Sequence, residues 1–345
     1  MAVRHIQKLD SLRGFAALYV LVYHCADSAD FIPKILKIGF FSFGQEAVMM
    51  FFLLSGFVIH MSCSQKDVLD VRNYLIRRFR RIYFPFFISL FVSTFIFLFN
   101  NKLIKNFSWF ELVGNCLMLQ DISFLKPGTW VEPFLGNVVL WSLSYEWWFY
   151  ILFIIAFKTI FKNKKRLYII LGISVFSLCF YWIHPNQIFL FLSYFIIWWC
   201  GVEISEVFLK YNRLPLAKVK PVLISIYSMC FLTAIPVFLS EKIELGIYPF
   251  LTFRHFFIVS FLLTIMIVWH RYKMKFFDNI FGIFTIFGSI SYTIYLFHYP
   301  ILLQWQLSDY IANIWIVYFI KIALLLSLCY LVDIKLQPIV NRYLK

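Results

Sequence analysis

The chain has 345 residues, of which 62% are hydrophobic, 22% are aromatic and only 14% are charged. A soluble domain carries about 25% charged residues, so this composition excludes an ordinary soluble protein. The net charge of +15 does not indicate nucleic-acid binding, because the Lys and Arg residues lie between hydrophobic segments, as in a membrane protein. The seven cysteines show neither a disulfide pattern nor metal-type spacing, and we predict no metal site.

Ten segments are apolar and long enough to cross a bilayer, which takes about 20 residues. They are predicted to be helices, because an open strand edge cannot be left unpaired in lipid. The predicted spans are 12–30, 39–61, 82–99, 138–161, 167–183, 187–209, 221–239, 250–269, 281–303 and 311–332. We therefore predict an all-α integral membrane protein with about ten transmembrane helices, in which residues 1–345 form a single polytopic domain.

The basic residues predict the orientation of these spans. If the N-terminus lies inside and the spans alternate, most of the 32 Lys and Arg residues fall on the inner side. The outer side receives Lys34, Lys37, Lys102, Lys105, Lys126 and Lys242. Both termini are therefore predicted to be cytoplasmic. The N-terminal segment resembles a signal sequence, but Asp10, Arg13 and His24 in its apolar run favour an uncleaved first span.

Segment 100–137 is the longest stretch that we do not predict to span. Its most apolar part, 109–125, contains Glu111 and Asp121, which hydrocarbon disfavours. A crossing at this point would also move the basic cluster 162–166 to the outer side, against the charge pattern. We expect an outer-side loop that dips partway into the membrane and packs against protein.

Arg13 and His24 are ionisable residues inside the first predicted span, where they are costly to retain. Ten residues separate them, which is about three helical turns or roughly 16 Å, so they share one helix face. Arg13 alone is typical of a snorkelling anchor, and His24 alone is typical of an interhelical hydrogen bond. Because they share one helix face, the pair favours a functional site. Arg13 would bind an anion at the cytoplasmic end, and His24 would act as a base near the middle of the bilayer.

Four arginines precede the third predicted span: Arg77, Arg78, Arg80 and Arg81. Such a cluster is also an ordinary determinant of membrane topology. However, arginine binds phosphate with a forked geometry, and Arg78 and Arg81 lie one helical turn apart on one face. Together with Arg13, they could surround a polyphosphate that enters from the cytoplasm.

Glu146 lies within the fourth predicted span, ~12 Å from its outer end. An unpaired carboxylate at this depth would be strongly penalised, so we expect it to be protonated or partnered. We predict His24 as the partner, with Glu146 orienting the imidazole and raising its basicity. A hydrogen bond between packed helices is the alternative. Trp141, in the same segment, is typical of an interfacial belt or of a platform for a sugar ring.

The second predicted span contains Glu46 near its outer end and a notch of small residues at Ser55 and Gly56. The notch is typical of a close approach between helices. Arg254, in the eighth span, is an isolated cation in the outer half of the membrane. It could pair with Glu46 or meet an oxyanion of the acceptor, and the sequence leaves both possibilities open.

The ninth predicted span carries Ser291, Tyr295 and His298, which are four and three residues apart and therefore share one face. They are either polar packing contacts or groups that support the acceptor side of a site. The chain has no Walker A loop, Rossmann glycine pattern, HExxH helix or GxSxG elbow. The sequence therefore does not support a function as a nucleotide hydrolase, a zinc enzyme or a serine hydrolase.

Taken in chain order, five motifs resemble those of the membrane-bound acyltransferase type 3 family. They are LDSLRGFAA at 9–17 with the histidine of Tyr23-His24, FFLLSGF at 51–57, RFRRIYFP at 78–85, WSLSYE at 141–146 and SYTIYLFH at 291–298. Each motif alone is weakly specific, but their order along the chain makes the resemblance strong.

The resemblance implies a multi-pass enzyme of the bacterial inner membrane that O-acylates surface carbohydrate, in a stand-alone form. It implies that His24 is the catalytic residue and that Arg13, Arg78 and Arg81 contact coenzyme A. The co-substrate would be acyl-CoA, above all acetyl-CoA, with no permanently bound cofactor. The other expected partners are membrane lipids and a carbohydrate or lipid-linked glycan acceptor, with no nucleic acid.

The combined hypothesis is an O-acyltransferase with His24 and Glu146 as catalytic residues and the acyl-CoA held by the three arginines. Its acceptor-side or supporting residues would be Glu46, Trp141, Ser291, Tyr295 and His298. A transporter or flippase for a lipid-linked saccharide would also use buried ionisable residues, although internal repeats are not evident. A scaffolding membrane protein is the third class, and it predicts tolerance to change at His24.

Overall fold

The structure is a computed structural model that describes residues 7–29, 32–40, 42–64 and 69–344. The first half contains α1 (Gln7–Asp27), α2 (Lys34–Phe40), α3 (Gly44–Cys63), α4 (Val71–Phe99), α5 (Leu103–Asn106), α6 (Trp109–Cys116) and α7 (Trp141–Thr159). The second half contains α8 (Arg166–Ile183), α9 (Gln187–Tyr211), α10 (Leu216–Leu239), α11 (Phe250–Arg271), α12 (Phe277–Phe281), α13 (Thr285–Gly288), α14 (Ser291–His298), α15 (Ile314–Cys329) and α16 (Gln337–Tyr343). These ranges contain no β-strand, only an isolated bridge between Gln120 and Val131.

Eight helical segments of the described chain are long and apolar enough to cross a membrane. A ninth is counted if Phe277–Gly288 and Ser291–Asp309, which are bent by 72° relative to each other, form one broken span. This broken pair replaces the straight ninth helix predicted from the sequence. The remaining predicted span, the first one at 12–30, corresponds to α1, which is 21 residues long but includes Asp10, Arg13 and Asp27. The predicted all-α integral membrane fold is confirmed.

Large aromatic side chains cover the outside of the helix bundle. Phe91 is 71% exposed, Phe238 is 85% exposed and Phe319 is 73% exposed. Water would disfavour so much apolar surface, whereas the hydrocarbon of a bilayer is a suitable surrounding for it. The exposed rings therefore fit a protein whose outer surface faces lipid.

α3 and α9 cross closely at the centre of the bundle. A Cβ atom on Gly56 would lie 2.0 Å from the backbone oxygen of Trp198, and one on Gly201 would lie 2.1 Å from that of Leu53. Each helix thus presents a glycine where the backbone of the other passes. The close approach predicted from the Ser55–Gly56 notch is confirmed.

The loop 100–137 packs into the protein rather than lying over it. Asp121, one of the two acidic residues that argued against a span, is fully buried, as are Asn115 and Gln120. The Nδ2 atom of Asn115 donates hydrogen bonds to the carbonyls of Glu111 and Glu132, both at 2.8 Å. The loop therefore packs against protein groups, which satisfy the Asn115 amide, as predicted, while the depth of the loop in the membrane stays a prediction.

α1 packs against α3, α13 and α14. A Cβ atom on Gly14 would lie 2.1 Å from the backbone oxygen of Phe284, so α1 approaches the segment before α13 as closely as backbones allow. This packing brings the helix that carries Arg13 and His24 against the broken helix that carries Tyr295 and His298.

Candidate active site

A cavity of about 490 Å³ is lined by residues from the N-terminal parts of α1 and α4. Five arginines line it: Arg13, Arg77, Arg78, Arg80 and Arg81. We call it the arginine cavity. The structure thus brings together the three arginines that the sequence singled out, although Arg13 precedes Arg78 by 65 positions in the chain. Five guanidinium groups around one cavity form a site suited to a multiply charged anion.

The arginines are held in different ways. Arg81 pairs with the buried carboxylate of Asp333, at 3.0 Å from Nη1 to Oδ1. Arg78 instead lies over aromatic rings, with its guanidinium carbon 5.5 Å and 5.7 Å from the ring centroids of Tyr74 and Tyr150. The buried Nε atom of Arg78 has no hydrogen-bond partner among the described residues. Arg78 is therefore the better placed of the two to bind an incoming anion.

Glu146 also lines the arginine cavity, and its predicted contact with His24 is wrong. Its Oε1 atom accepts a hydrogen bond from the Ser55 hydroxyl at 3.1 Å and another from the hydroxyl of Tyr150. The error has a geometric cause. Glu146 lies five residues after Trp141, or about 140° around the helix axis. The side chains of Glu146 and Trp141 therefore point into different parts of the protein. Hydropathy gives the depth of a residue in a span but not its direction around the axis.

Ser291, another predicted supporting residue, lines the arginine cavity as well. Its hydroxyl donates a hydrogen bond to the carbonyl oxygen of Gly288 at 2.9 Å. Because this bond ties the side chain to the break between α13 and α14, the contact shapes the cavity wall.

A second cavity, of about 870 Å³, lies at the other ends of α1 and α3. His24 lines it, so we call it the histidine cavity. Its walls also include the predicted residues Glu46, Trp141 and Tyr295, and residues Ile122, Phe124 and Leu125 of the loop 100–137. The two cavities therefore approach each other from opposite ends of the bundle.

The neighbours of His24 are aromatic. Its ring centroid lies 5.4 Å from that of His298 and 5.1 Å from that of Tyr299. His298 is fully buried, and its Nδ1 atom lies 2.9 Å from the carbonyl oxygen of Ile294. Because a carbonyl can only accept, Nδ1 carries the proton, and in the neutral ring Nε2 has a free lone pair. An imidazole of fixed tautomer, rather than a carboxylate, is thus the polar group beside His24.

Arg254 pairs with Glu46 on the wall of the histidine cavity. The Nη2 atom of Arg254 lies 2.7 Å from Glu46 Oε1, and it also donates a hydrogen bond to the carbonyl of Ser42 at 2.7 Å. Of the two possibilities that the sequence left open, the structure shows the ion pair. The charged residues on this wall are balanced, since Lys37 and Arg254 stand against Asp27 and Glu46.

A buried ion pair in the loop 100–137 was missed in the sequence. Lys126 Nζ lies 2.7 Å from Asp121 Oδ1, and both side chains are fully buried. Burial lowers the pKa of Lys126, while the carboxylate of Asp121 raises it. Tyr145 donates a hydrogen bond to Asp121 at 2.7 Å, and the Lys126 ammonium lies 4.0 Å from the Trp141 ring centroid. The sequence did contain a signal for this pair, namely two opposite charges that lie five residues apart in an apolar loop.

The wall between the two cavities includes residues that face both of them. Among the described residues, Val48 and Tyr295 line both cavities. The Tyr295 hydroxyl shares a hydrogen bond with the Ser142 hydroxyl at 2.8 Å and donates another to the Val139 carbonyl at 2.9 Å. Tyr295 was predicted as a supporting residue, and the structure places it between the arginines and the histidine.

Comparison with known proteins identifies the family of the chain. The model of the acyltransferase domain family matches residues 6–334. The chain belongs to this acyltransferase family. The match covers nearly the whole sequence, including all five motifs that resembled the type 3 family.

Several curated relatives of this acyltransferase are known. Peptidoglycan O-acetyltransferase OatA of Listeria monocytogenes is 26% identical over 333 residues, which is 87% of this chain and 50% of the relative. Putative peptidoglycan O-acetyltransferase YrhL of Bacillus subtilis is 26% identical over 330 residues, 87% of this chain and 49% of the relative.

Acyltransferase MdmB of Streptomyces mycarofaciens is 33% identical over 170 residues, 48% of this chain and 42% of the relative. The chain therefore spans about half the length of the curated relatives it matches, or less. No solved protein structure matches this chain.

Proposed function

We propose that this acyltransferase moves an acyl group, in the first place acetyl, from acyl-CoA to a hydroxyl group of a carbohydrate. The observation that carries the proposal is the pair of cavities, one lined by five arginines and the other by His24, which approach each other from opposite ends of the bundle. Membership of the acyltransferase family supports the reaction class, and two relatives are named as peptidoglycan O-acetyltransferases.

The arginine cavity is the proposed binding site for acyl-CoA. The phosphates of coenzyme A need several cationic donors, and Arg13, Arg78 and Arg81 supply them from two helices. The positive-inside rule assigns this end of α4 to the cytoplasm, where acyl-CoA is made. The proposed location is the bacterial inner membrane, with acyl-CoA binding from the cytoplasmic side.

The histidine cavity is the proposed acceptor site. Aromatic rings such as Trp141 and Tyr299 line it, and rings of this kind stack on the apolar faces of sugars. Because its positive and negative side chains balance, it suits a neutral or weakly charged glycan better than a polyanion. A surface polysaccharide or its lipid-linked precursor would fit the outward-facing end.

The proposed chemistry uses His24 as a general base. His24 takes the proton from the acceptor hydroxyl, and the acceptor oxygen attacks the carbonyl carbon of the thioester. The new C–O bond forms as the C–S bond breaks, and the coenzyme A thiolate takes the proton back from the imidazolium. With an acyl-histidine intermediate, the same overall transfer would take place in two steps. His298, whose tautomer is fixed, lies beside the ring of His24, with the ring centroids 5.4 Å apart.

Transfer in sided membrane vesicles tests the proposal. Labelled acetyl-CoA is added to inverted vesicles that carry the protein and enclose soluble peptidoglycan fragments, and the label on the fragments is measured. We expect transfer from acetyl-CoA on the cytoplasmic face, and none when His24 is replaced in His24→Ala. Equal transfer by His24→Ala, or transfer only from the opposite face, would reject the proposal. The exposed His184, replaced in His184→Ala, is the matched control.

A further inference from the structure

The linings of the two cavities share two side chains. Val48 on α3 and Tyr295 on α14 are the residues that line both cavities in the described part of the chain. Both are nearly buried, with exposures of 3% and 5%. An acyl group that passes from the arginine cavity to the His24 side would therefore meet these two side chains.

Tyr295 is held firmly in this wall. Its hydroxyl bonds to the Ser142 hydroxyl and to the Val139 carbonyl, and its ring packs against that of Phe51, with centroids 5.9 Å apart. Turning the ring aside would break two buried hydrogen bonds, which is unfavourable. One side of the passage is therefore fixed.

Val48 forms the other side of the passage and is also stiff. It lies in the second turn of α3, and a β-branched side chain in a helix strongly prefers one rotamer. Its two methyl groups are therefore fixed in place. Neither wall residue has the flexible chain of Met or Lys that would adapt to acyl groups of different size.

We propose that Val48 and Tyr295 form a size filter that limits the transferred acyl group to short chains, with Val48 setting the limit. The inference rests on the proposed function, because it requires the donor in the arginine cavity and transfer at His24. The donor class is then a coenzyme A thioester of a two- or three-carbon acid. A longer chain would occupy the space of the Val48 methyl groups.

The test measures kcat/KM for acetyl-CoA, propionyl-CoA and butyryl-CoA in detergent-purified full-length protein, with soluble peptidoglycan fragments as acceptor, by release of the coenzyme A thiol. Val48→Ala should raise the butyryl-to-acetyl ratio roughly tenfold or more, since one methylene in a fitted pocket is worth about 10- to 200-fold. Val48→Ile, which narrows the passage and keeps a β-branched side chain, should shift the propionyl-to-acetyl ratio in the opposite direction.

Three control variants distinguish a size filter from a general loosening of the protein structure. Val58→Ala removes the same atoms from a residue that lines only the arginine cavity, and Val138→Ala does so in the histidine cavity. Neither should change the ratio, and Val48→Thr, with nearly the same shape, should not change it either. A thermal melt of each variant verifies that it is folded.

The outcomes are distinguishable. If the wild-type protein uses acetyl-CoA but Val48→Ala and Val48→Ile leave both ratios unchanged, the filter is wrong and the proposed function stands. An equal shift in Val58→Ala would also reject the filter. If the wild-type protein consumes no acyl-CoA at all, the proposed function and the filter fail together.

Discussion

The imidazole rings of His24 and His298 lie with their centroids 5.4 Å apart and their planes inclined by 35°. His298 is fixed by its hydrogen bond to the Ile294 carbonyl, and its Nε2 atom has no partner in the part of the chain that the structure describes. His24 thus has a polar neighbour of fixed orientation on the broken helix. Glu146, expected in that place, lies in the arginine cavity instead.

The position of Glu146 predicts the effect of replacing it. Glu146→Gln removes one negative charge from a cavity lined by five arginines, so an anionic donor should bind more tightly. We expect the KM for acetyl-CoA to fall by about fivefold, on the order of 1 kcal/mol, with kcat little changed. A loss of kcat at constant KM, measured by steady-state kinetics, would instead indicate that Glu146 acts through His24.

Arg78 is predicted to contribute to donor binding more than to folding. It lies over the rings of Tyr74 and Tyr150, and Arg78→Ala should raise the KM for acetyl-CoA by roughly 10- to 100-fold, the range of charge-assisted hydrogen bonds. Added salt should weaken donor binding in the wild type more than in the variant. The exposed Arg213, replaced in Arg213→Ala, is the control and should leave KM unchanged.

Arg81→Ala should behave differently, because it leaves the buried carboxylate of Asp333 without its ion pair. We expect lower thermal stability in addition to weaker donor binding. The double variant Arg81→Ala with Asp333→Asn should recover part of that stability but not the donor binding. Full recovery of KM in the double variant would contradict a direct role of Arg81.

The pair of Glu46 and Arg254 is predicted to stabilise the protein. Arg254→Met leaves a carboxylate buried without its partner, which typically costs about 3–5 kcal/mol. Adding Glu46→Gln to Arg254→Met should restore much of the loss, because no buried charge then remains. Thermal unfolding in detergent measures both the loss of stability in the single variant and its recovery in the double variant. Simple additivity of the two single effects would show that the residues are not coupled.

The crossing of α3 and α9 is tested by two glycine substitutions. A Cβ on Gly56 would meet the Trp198 backbone oxygen at 2.0 Å, so Gly56→Ala should strongly destabilise the fold. Gly172 on α8 has no atom within 4 Å of its ideal Cβ position. Gly172→Ala should therefore be neutral or stabilising by roughly 0.5–1 kcal/mol. Equal melting temperatures for the two variants would contradict the close crossing.

The sequence predicted the parts of this structure that depend on hydrophobicity, charge and small residues. The spans follow from apolar length, and the notch at Gly56 follows from residue size. The meeting of Arg13 with Arg78 and Arg81 followed from chemistry, because separate cations on one side of a membrane suit one polyanion.

Contacts that depend on rotation about a helix axis, or on the packing of distant segments, could not be predicted in this way. Glu146 and His24 have similar expected depths but lie in different cavities. The pair of Lys126 and Asp121 needed the path of the loop 100–137. Val48 has an ordinary side chain whose position between the cavities exists only in the folded protein.

The most direct test compares acetyl-CoA binding with acetyl transfer in one preparation of the His24→Ala variant. Equilibrium binding of labelled acetyl-CoA should match that of the wild type, because the arginine cavity is intact, while transfer to soluble peptidoglycan fragments should be lost. A variant that still transfers acetyl groups at the wild-type rate would contradict the account. So would one whose transfer fails only because it no longer binds acetyl-CoA.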